Sequence, residues 1–100
     1  DKAINEALDG PDKIYLSVDI DVLDPAFAPG TGTPEPGGLS SSQLLRAIRT
    51  ISKSVEIVAV DIVEVAPHYE GPASITAEAA HRIMLEAISG IAVYRKNNRA

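Results

Sequence analysis

Residues 13–24 read K-I-Y-L-S-V-D-I-D-V-L-D, and residues 55–65 read V-E-I-V-A-V-D-I-V-E-V. The first opens with a short β-branched and aromatic run, Lys13 to Asp19, that suits a strand buried on both faces. The second holds more β-branched residues than a helix favours and reads as a strand over 55–65, ended by Ala66-Pro67. Between them, Leu39-Ser40-Ser41-Ser42-Gln43-Leu44 carries a capping box (Ser40 with Gln43) and a hydrophobic staple (Leu39 with Leu44). A helix is expected from about residue 41, burying Leu44, Leu45, Ile48 and Ile51 and leaving Arg46 and Arg49 in solvent. Strand, helix, strand in that order predicts two parallel strands joined by a right-handed crossover, an α/β sheet fragment.

Outside this unit, residues 2–8 read as the end of a helix stopped by Asp9-Gly10-Pro11. A last helix is expected from Thr76 as N-cap, with Glu78 in its first turn and Ala80, Ile83, Met84, Ala87, Ile88 and Ile91 as its buried stripe. The basic, polar tail Tyr94 to Ala100 reads as a solvated terminus. Residues 24–38 hold four of the seven prolines and four of the seven glycines, so this stretch is neither helix nor strand. Its prolines restrict the free loop and favour one shape, and structureless loops longer than about 12 residues are usually functional or disordered.

One hundred residues allow one core. No apolar run approaches the ~18 residues that span a bilayer. Without cysteine there is neither a disulfide framework nor a thiolate ligand or nucleophile, so any metal is held by oxygen or imidazole. The net charge of -5 repels a phosphate backbone and argues against nucleic acid as partner. Eight of the fourteen acids lie in residues 1–50, three of them being Asp19, Asp21 and Asp24. The chain begins at Asp1 without Met and enters at once into helix-like residues, which reads as a segment of a longer protein.

Asp19 and Asp21 stand two apart at the end of the first strand, so if strand geometry persists their carboxylates project from one face. Two adjacent carboxylates repel, and a hard divalent cation removes the conflict. The alternative is that both accept hydrogen bonds from amides of the following loop.

The longer stretch S-V-D-I-D-V-L-D-P-A-F-A-P-G-T-G-T-P-E-P-G-G-L-S, residues 17–40, resembles the signature of the ureohydrolases, the arginase and agmatinase family. D-I-V-E-V-A-P, residues 61–67, resembles that family's second characteristic strand end. The resemblance implies the C-terminal portion, residues 1–100, of a single three-layer α/β/α domain with a central parallel sheet. It implies two Mn2+ ions, with Asp19 bridging both and Asp21 binding one. It implies that Glu64 faces the substrate guanidinium, accepting two parallel N–H bonds, and that Thr33 contacts substrate. The reaction implied is hydrolysis of a guanidino compound by a dimanganese-bound hydroxide. The P-E-P-G-G and V-E-V-A-P forms look more like agmatinases, which convert agmatine to putrescine and urea, than arginases. The family further implies a cytoplasmic enzyme of polyamine biosynthesis and a homo-oligomer, trimer or hexamer. Its D-A-H-x-D and G-G-D-H segments, which supply the remaining ligands, are absent from these residues, so the segment alone is expected to be inactive.

The other polar residues read more plainly. Asp24 before Pro25 fixes the loop turn, and Asp61 is a hydrogen-bonded structural acid. His68 lies just beyond the second strand on the rim of the site and reads as a loop histidine, with substrate contact as the alternative, and His81 reads as a surface or interface residue of the last helix. Ser40, Ser41 and Ser42 lack a nucleophile elbow, and glycines 30, 32, 37 and 38 do not follow phosphate-binding spacings. Two other function classes remain. One is a haloacid dehalogenase-type phosphatase, with Asp19 as nucleophile and Asp21 as general acid; it lacks a lysine after the second strand and leaves the Pro/Gly loop unexplained. The other is a non-catalytic structural or subunit-contact segment.

Overall fold

The computed structural model describes residues 2–98. In chain order it contains α1 (Lys2–Ala7), β1 (Lys13–Asp19), a 3-10 turn (Ile20–Val22), α2 (Ser41–Ser54), β2 (Glu56–Val63), a second 3-10 turn (Pro67–Tyr69) and α3 (Ile75–Asn97). The two strands pair in parallel, from Lys13 beside Glu56 to Asp19 beside Val63, with an irregularity between Ile14 and Tyr15. Both strands thus end at the same edge. Among the described residues no helix is long and apolar enough to cross a membrane.

The core is a single cluster of Val18, Ile20, Leu23, Ala28, Leu44, Ile48, Ile83 and Ala87, with Leu16, Val60 and Ile62 packed against it. These residues come from one face of the sheet, from α2 and α3, and from the segment after β1. The other face, Tyr15, Ser17, Asp19, Ala59, Asp61 and Val63, is largely open, and Tyr15 is 60% exposed. The expectation that the first strand is buried on both faces is therefore corrected, because the helices here cover only one. The radius of gyration is 14.4 Å and the extents are 47 × 23 × 19 Å, an elongated shape.

α2 begins as the sequence predicts. Ser40 Oγ accepts from the Gln43 amide at 3.2 Å, and Gln43 Oε1 accepts from the Ser40 amide at 2.9 Å. The expected second strand is shortened at both ends. Val55 caps α2, its amide donating to the Ile51 carbonyl, and Glu64 has φ 71, which ends the extended course.

α3 differs from expectation at its start. Thr76 is not the cap: it is fully buried inside the helix, and Ser74, at φ 51, precedes the first turn without a side-chain cap. The carboxylate of Glu70 does the capping, accepting from the Thr76 and Ala77 amides at 3.2 and 2.9 Å. Ile88, expected in the stripe, is 56% exposed, whereas Glu86 is buried. Glu86 accepts from Arg49 through bonds of 2.6 and 3.2 Å, so Arg49 bridges α2 to α3 rather than standing free in solvent. The Arg49 guanidinium holds the Glu86 carboxyl below the usual carboxylate range. The expected solvated tail is helical to Asn97, and its last two residues, 99–100, lie outside the described residues.

Candidate functional site

Strand geometry does not persist through Asp19-Ile20-Asp21. Asp19 ends β1, and the chain then tightens into the 3-10 turn, because Ile20 is fully buried in the core and pulls the backbone over. The alternation that would set both carboxylates on one strand face is replaced by a turn that folds Asp21 back. The Asp21 amide donates to Asp19 Oδ1 at 3.0 Å, and the Thr33 hydroxyl donates to Asp21 Oδ2 at 2.8 Å. Asp19, Asp21 and Thr33 thus form one connected group. Hydrogen bonding to a loop amide is realised at Asp19, yet each carboxylate keeps one oxygen without a hydrogen-bond partner among the described residues.

The Pro/Gly loop is pinned at both ends and at its middle. The Asp24 amide donates to the Leu39 carbonyl at 2.9 Å, and the Leu39 amide to the Val22 carbonyl at 3.0 Å. A Cβ on Gly38 would lie 2.6 Å from the Asp24 nitrogen, so only glycine lets the two loop ends approach this closely. Asp24 accepts from the Ala26 and Gly37 amides, both at 2.9 Å, and these bonds hold its carboxyl below the usual range. The expected turn-fixing role of Asp24 is what the structure shows.

In the middle, the Gly30 amide donates to Thr76 Oγ1 at 2.7 Å, and the Gly30 carbonyl accepts from the Ala66 amide at 2.7 Å. The loop that delivers Thr33 to Asp21 is therefore fastened to the start of α3 and to the segment that follows Glu64. Glu70 completes this anchor. Burial pushes its carboxyl up, but bonds from the Ala77 amide, from the Thr76 hydroxyl and amide and from the Gly71 amide outweigh burial and leave it below the ordinary value. A depressed carboxylate stabilises the fold above its unfolded-state value, about 4.3, and the contribution is lost as pH falls through the folded-state value. Glu70→Gln is expected to melt below the parent near neutral pH, with the gap closing below about pH 4; thermal melts across that range check it.

Glu64 lies one residue beyond Val63, the register partner of Asp19, so it stands at the same sheet edge as the aspartate pair. It is exposed, and its positive φ is a conformation that costs a non-glycine residue about 1–3 kcal/mol, typically retained at functional positions. Among the described residues no hydrogen bond joins Glu64 to Asp19 or Asp21. His68 is exposed in the second 3-10 turn, and His81 is exposed on α3. Asp61 accepts from the hydroxyls of Tyr15 and, at 2.6 Å, Ser17, as expected of a structural acid.

Among the described residues, no cluster of three or more histidine and acidic side chains is disposed to hold a metal ion. Two carboxylates with one open oxygen each fit part of a hard-cation site but fall short of the roughly six donors such an ion takes. Sequence reasoning missed Glu70 and the Arg49–Glu86 bridge, since each acts across elements that no local pattern connects.

The profile of the arginase family matches residues 1–90. The agmatinase of Halalkalibacterium halodurans is 53% identical over 78 residues, covering 77% of this chain and 27% of the relative. A crystal structure of a hypothetical agmatinase from Burkholderia thailandensis superposes with a TM-score of 0.80 at 42% identity, over 97% of this chain and 30% of that one. Proclavaminate amidino hydrolase from Streptomyces clavuligerus gives a TM-score of 0.79 at 45% identity, over 85% and 28%. The chain thus spans little more than a quarter of the length of the relatives it matches.

Proposed function

The chain belongs to the arginase family and carries a fragment of the arginase-like α/β fold, and from this premise we propose that it is part of an agmatinase. The reaction is agmatine plus water to putrescine plus urea, in the cytoplasm. The observation that carries the reading is the convergence of Asp19, Asp21 and Thr33 at the strand edge that also bears Glu64.

In this reading Asp19 and Asp21 offer their open oxygens to a pair of Mn2+ ions, completed by ligands from outside these residues. Manganese supplies an acidified water as nucleophile near neutral pH and charge for the developing transition state. Thr33 holds Asp21 in one rotamer by donating its hydroxyl hydrogen, which leaves the oxygen's two lone pairs available to substrate. Glu64 accepts two parallel N–H bonds from the guanidinium, which orients the central carbon toward the attacking water. Water adds to that carbon, the bond to the aminobutyl nitrogen breaks, and the amine leaves with a proton. Agmatinase names among the relatives support this substrate, and the comparisons lend nothing to the phosphatase reading.

The test is urea release from agmatine, arginine and formiminoglutamate, beside phosphate release from a generic ester, by the full-length protein. Preferential turnover of agmatine supports the reading; phosphate release without urea ends it. Glu64→Gln, which keeps the shape and removes the charge, is expected to lower kcat/KM about a hundredfold, as loss of a charged, doubly hydrogen-bonded contact does. Glu64→Gly is expected to lose at least as much activity while melting no lower than the parent, because it relieves the positive φ. Melting curves and steady-state kinetics on both variants separate strain from recognition.

A further inference from the structure

Thr76 lies in the first turn of α3 without solvent exposure, and its hydroxyl is engaged on both sides. It accepts from the Gly30 amide at 2.7 Å and donates to the Glu70 carboxylate. A hydroxyl does both at once, and a methyl group does neither. Gly30 approaches so closely that a Cβ on it would lie 2.8 Å from Glu70 Oε2 and 3.0 Å from Thr76 Oγ1. The junction therefore needs glycine at position 30 as much as it needs the hydroxyl.

Two segments hang from this junction. The Gly30 carbonyl accepts from the Ala66 amide at 2.7 Å, and Ala66 stands two residues beyond Glu64. Thr33, three residues beyond Gly30, donates to Asp21 Oδ2 at 2.8 Å. Between them Thr31 is 1% exposed, and its hydroxyl has no partner among the described residues. An unpaired buried hydroxyl disfavours the place it occupies, so this side chain gives the segment no hold of its own. The bonds at Gly30 are what keep the segment there.

We propose that Thr76, backed by Glu70, is a positioning residue for substrate recognition, which through Gly30 sets Thr33 and Glu64 in register with one another. Thr76 itself is fully buried and acts only through these bonds. A guanidinium held by parallel N–H bonds requires its carboxylate to be placed within about 0.5 Å, and Glu64 receives that placement through the backbone that follows it. The inference rests on the proposed roles of Thr33 and Glu64.

Hydrogen exchange, manganese content and steady-state kinetics of full-length Thr76→Val and Thr76→Ser test it. Valine keeps the branched shape and loses both bonds, whereas serine keeps both. In Thr76→Val the amides of Gly30 and Ala66 are expected to exchange about tenfold faster or more, although Ala66 bonds to Gly30 and not to Thr76. The kcat/KM for agmatine is expected to fall about tenfold, the scale of one lost hydrogen bond, with manganese content unchanged. Thr76→Ser is expected to return exchange and kinetics to near the parent's values. Thr33→Val combined with Thr76→Val should lose less than the product of the two single losses, because both act through Thr33; a merely weakened helix would give the full product. Should Thr76→Val not fold, Glu70→Gln, which weakens the acceptor of the Thr76 hydroxyl, is expected to move the same readouts the same way by a smaller factor. Parent-like exchange at Ala66, a parent-like kcat/KM, or the full product in the double variant overturns the inference. A parent protein that releases no urea ends the agmatinase reading instead, and exchange at Ala66 then still decides whether Thr76 ties the two segments together.

Discussion

Asp19→Ala in the full-length protein is expected to lower urea release from agmatine at least a thousandfold and to deplete bound manganese. The size follows from what the side chain holds in the proposed site. Cation assistance supplies several kcal/mol of charge stabilisation, and about 4 kcal/mol corresponds to ~10³ in rate. In the proposed site Asp21 would bind one ion only, so Asp21→Ala is expected to cost less. Thr33→Val should cost less again, since it deletes the hydroxyl that steadies Asp21 but not a carboxylate. Metal analysis of the purified variants together with kcat gives the ranking. A parent-like rate and manganese content in Asp19→Ala would remove the basis for the assignment. The fold itself should survive, because Asp19 is exposed and its one hydrogen bond is local.

Gly90→Ala is expected to be the most damaging single-methyl substitution in the helical layer. Glycine in a helix interior normally costs about 1 kcal/mol relative to alanine, so on propensity alone the change would stabilise. Here α3 crosses α2 so closely that the added Cβ would lie 2.6 Å from Ser52 Cβ and 3.2 Å from the Ser52 carbonyl carbon. Ser52 is fully buried and its hydroxyl donates to the Ile48 carbonyl at 2.7 Å, and rotating it would not move its Cβ. Overpacking of this kind costs about 1–3 kcal/mol, occasionally more, and a contact on this scale belongs at the upper end. The net expectation is a loss of about 2 kcal/mol in denaturant unfolding, larger for Gly90→Val. Ser52→Gly should recover much of the loss when combined with Gly90→Ala, a coupling that a double-mutant cycle measures. A Gly90→Ala protein as stable as the parent would mean that the helices do not cross here.

Local signals carried most of the secondary structure. The capping box at Ser40 and Gln43 appears atom for atom, because its partners are three residues apart and need nothing distant. The β-branched runs became the two parallel strands, and Asp24 and Asp61 took the structural roles their settings suggested. The misreadings arose where a distant group decided. Thr76 looked like an N-cap until Gly30 and Glu70, from other segments, took its hydroxyl and its amide. Arg49 looked solvent-facing on its own helix until Glu86 of α3 came within 2.6 Å.

The twin aspartates, the restrained Pro/Gly loop and the acid at the second strand end belong to the sequence alone, since residue type and spacing specify the elements and the donor chemistry without reference to partners. Tertiary structure decided how those donors are aimed. Burial of Ile20 turns Asp21 out of strand alternation, the anchor at Gly30, Thr76 and Glu70 helps set Thr33 beside Asp21, and parallel register brings Glu64 to the edge that holds Asp19. Local propensity extends over a few residues, whereas the direction of a functional side chain is set by packing and hydrogen bonds between segments dozens of residues apart, which exist only once the chain has folded.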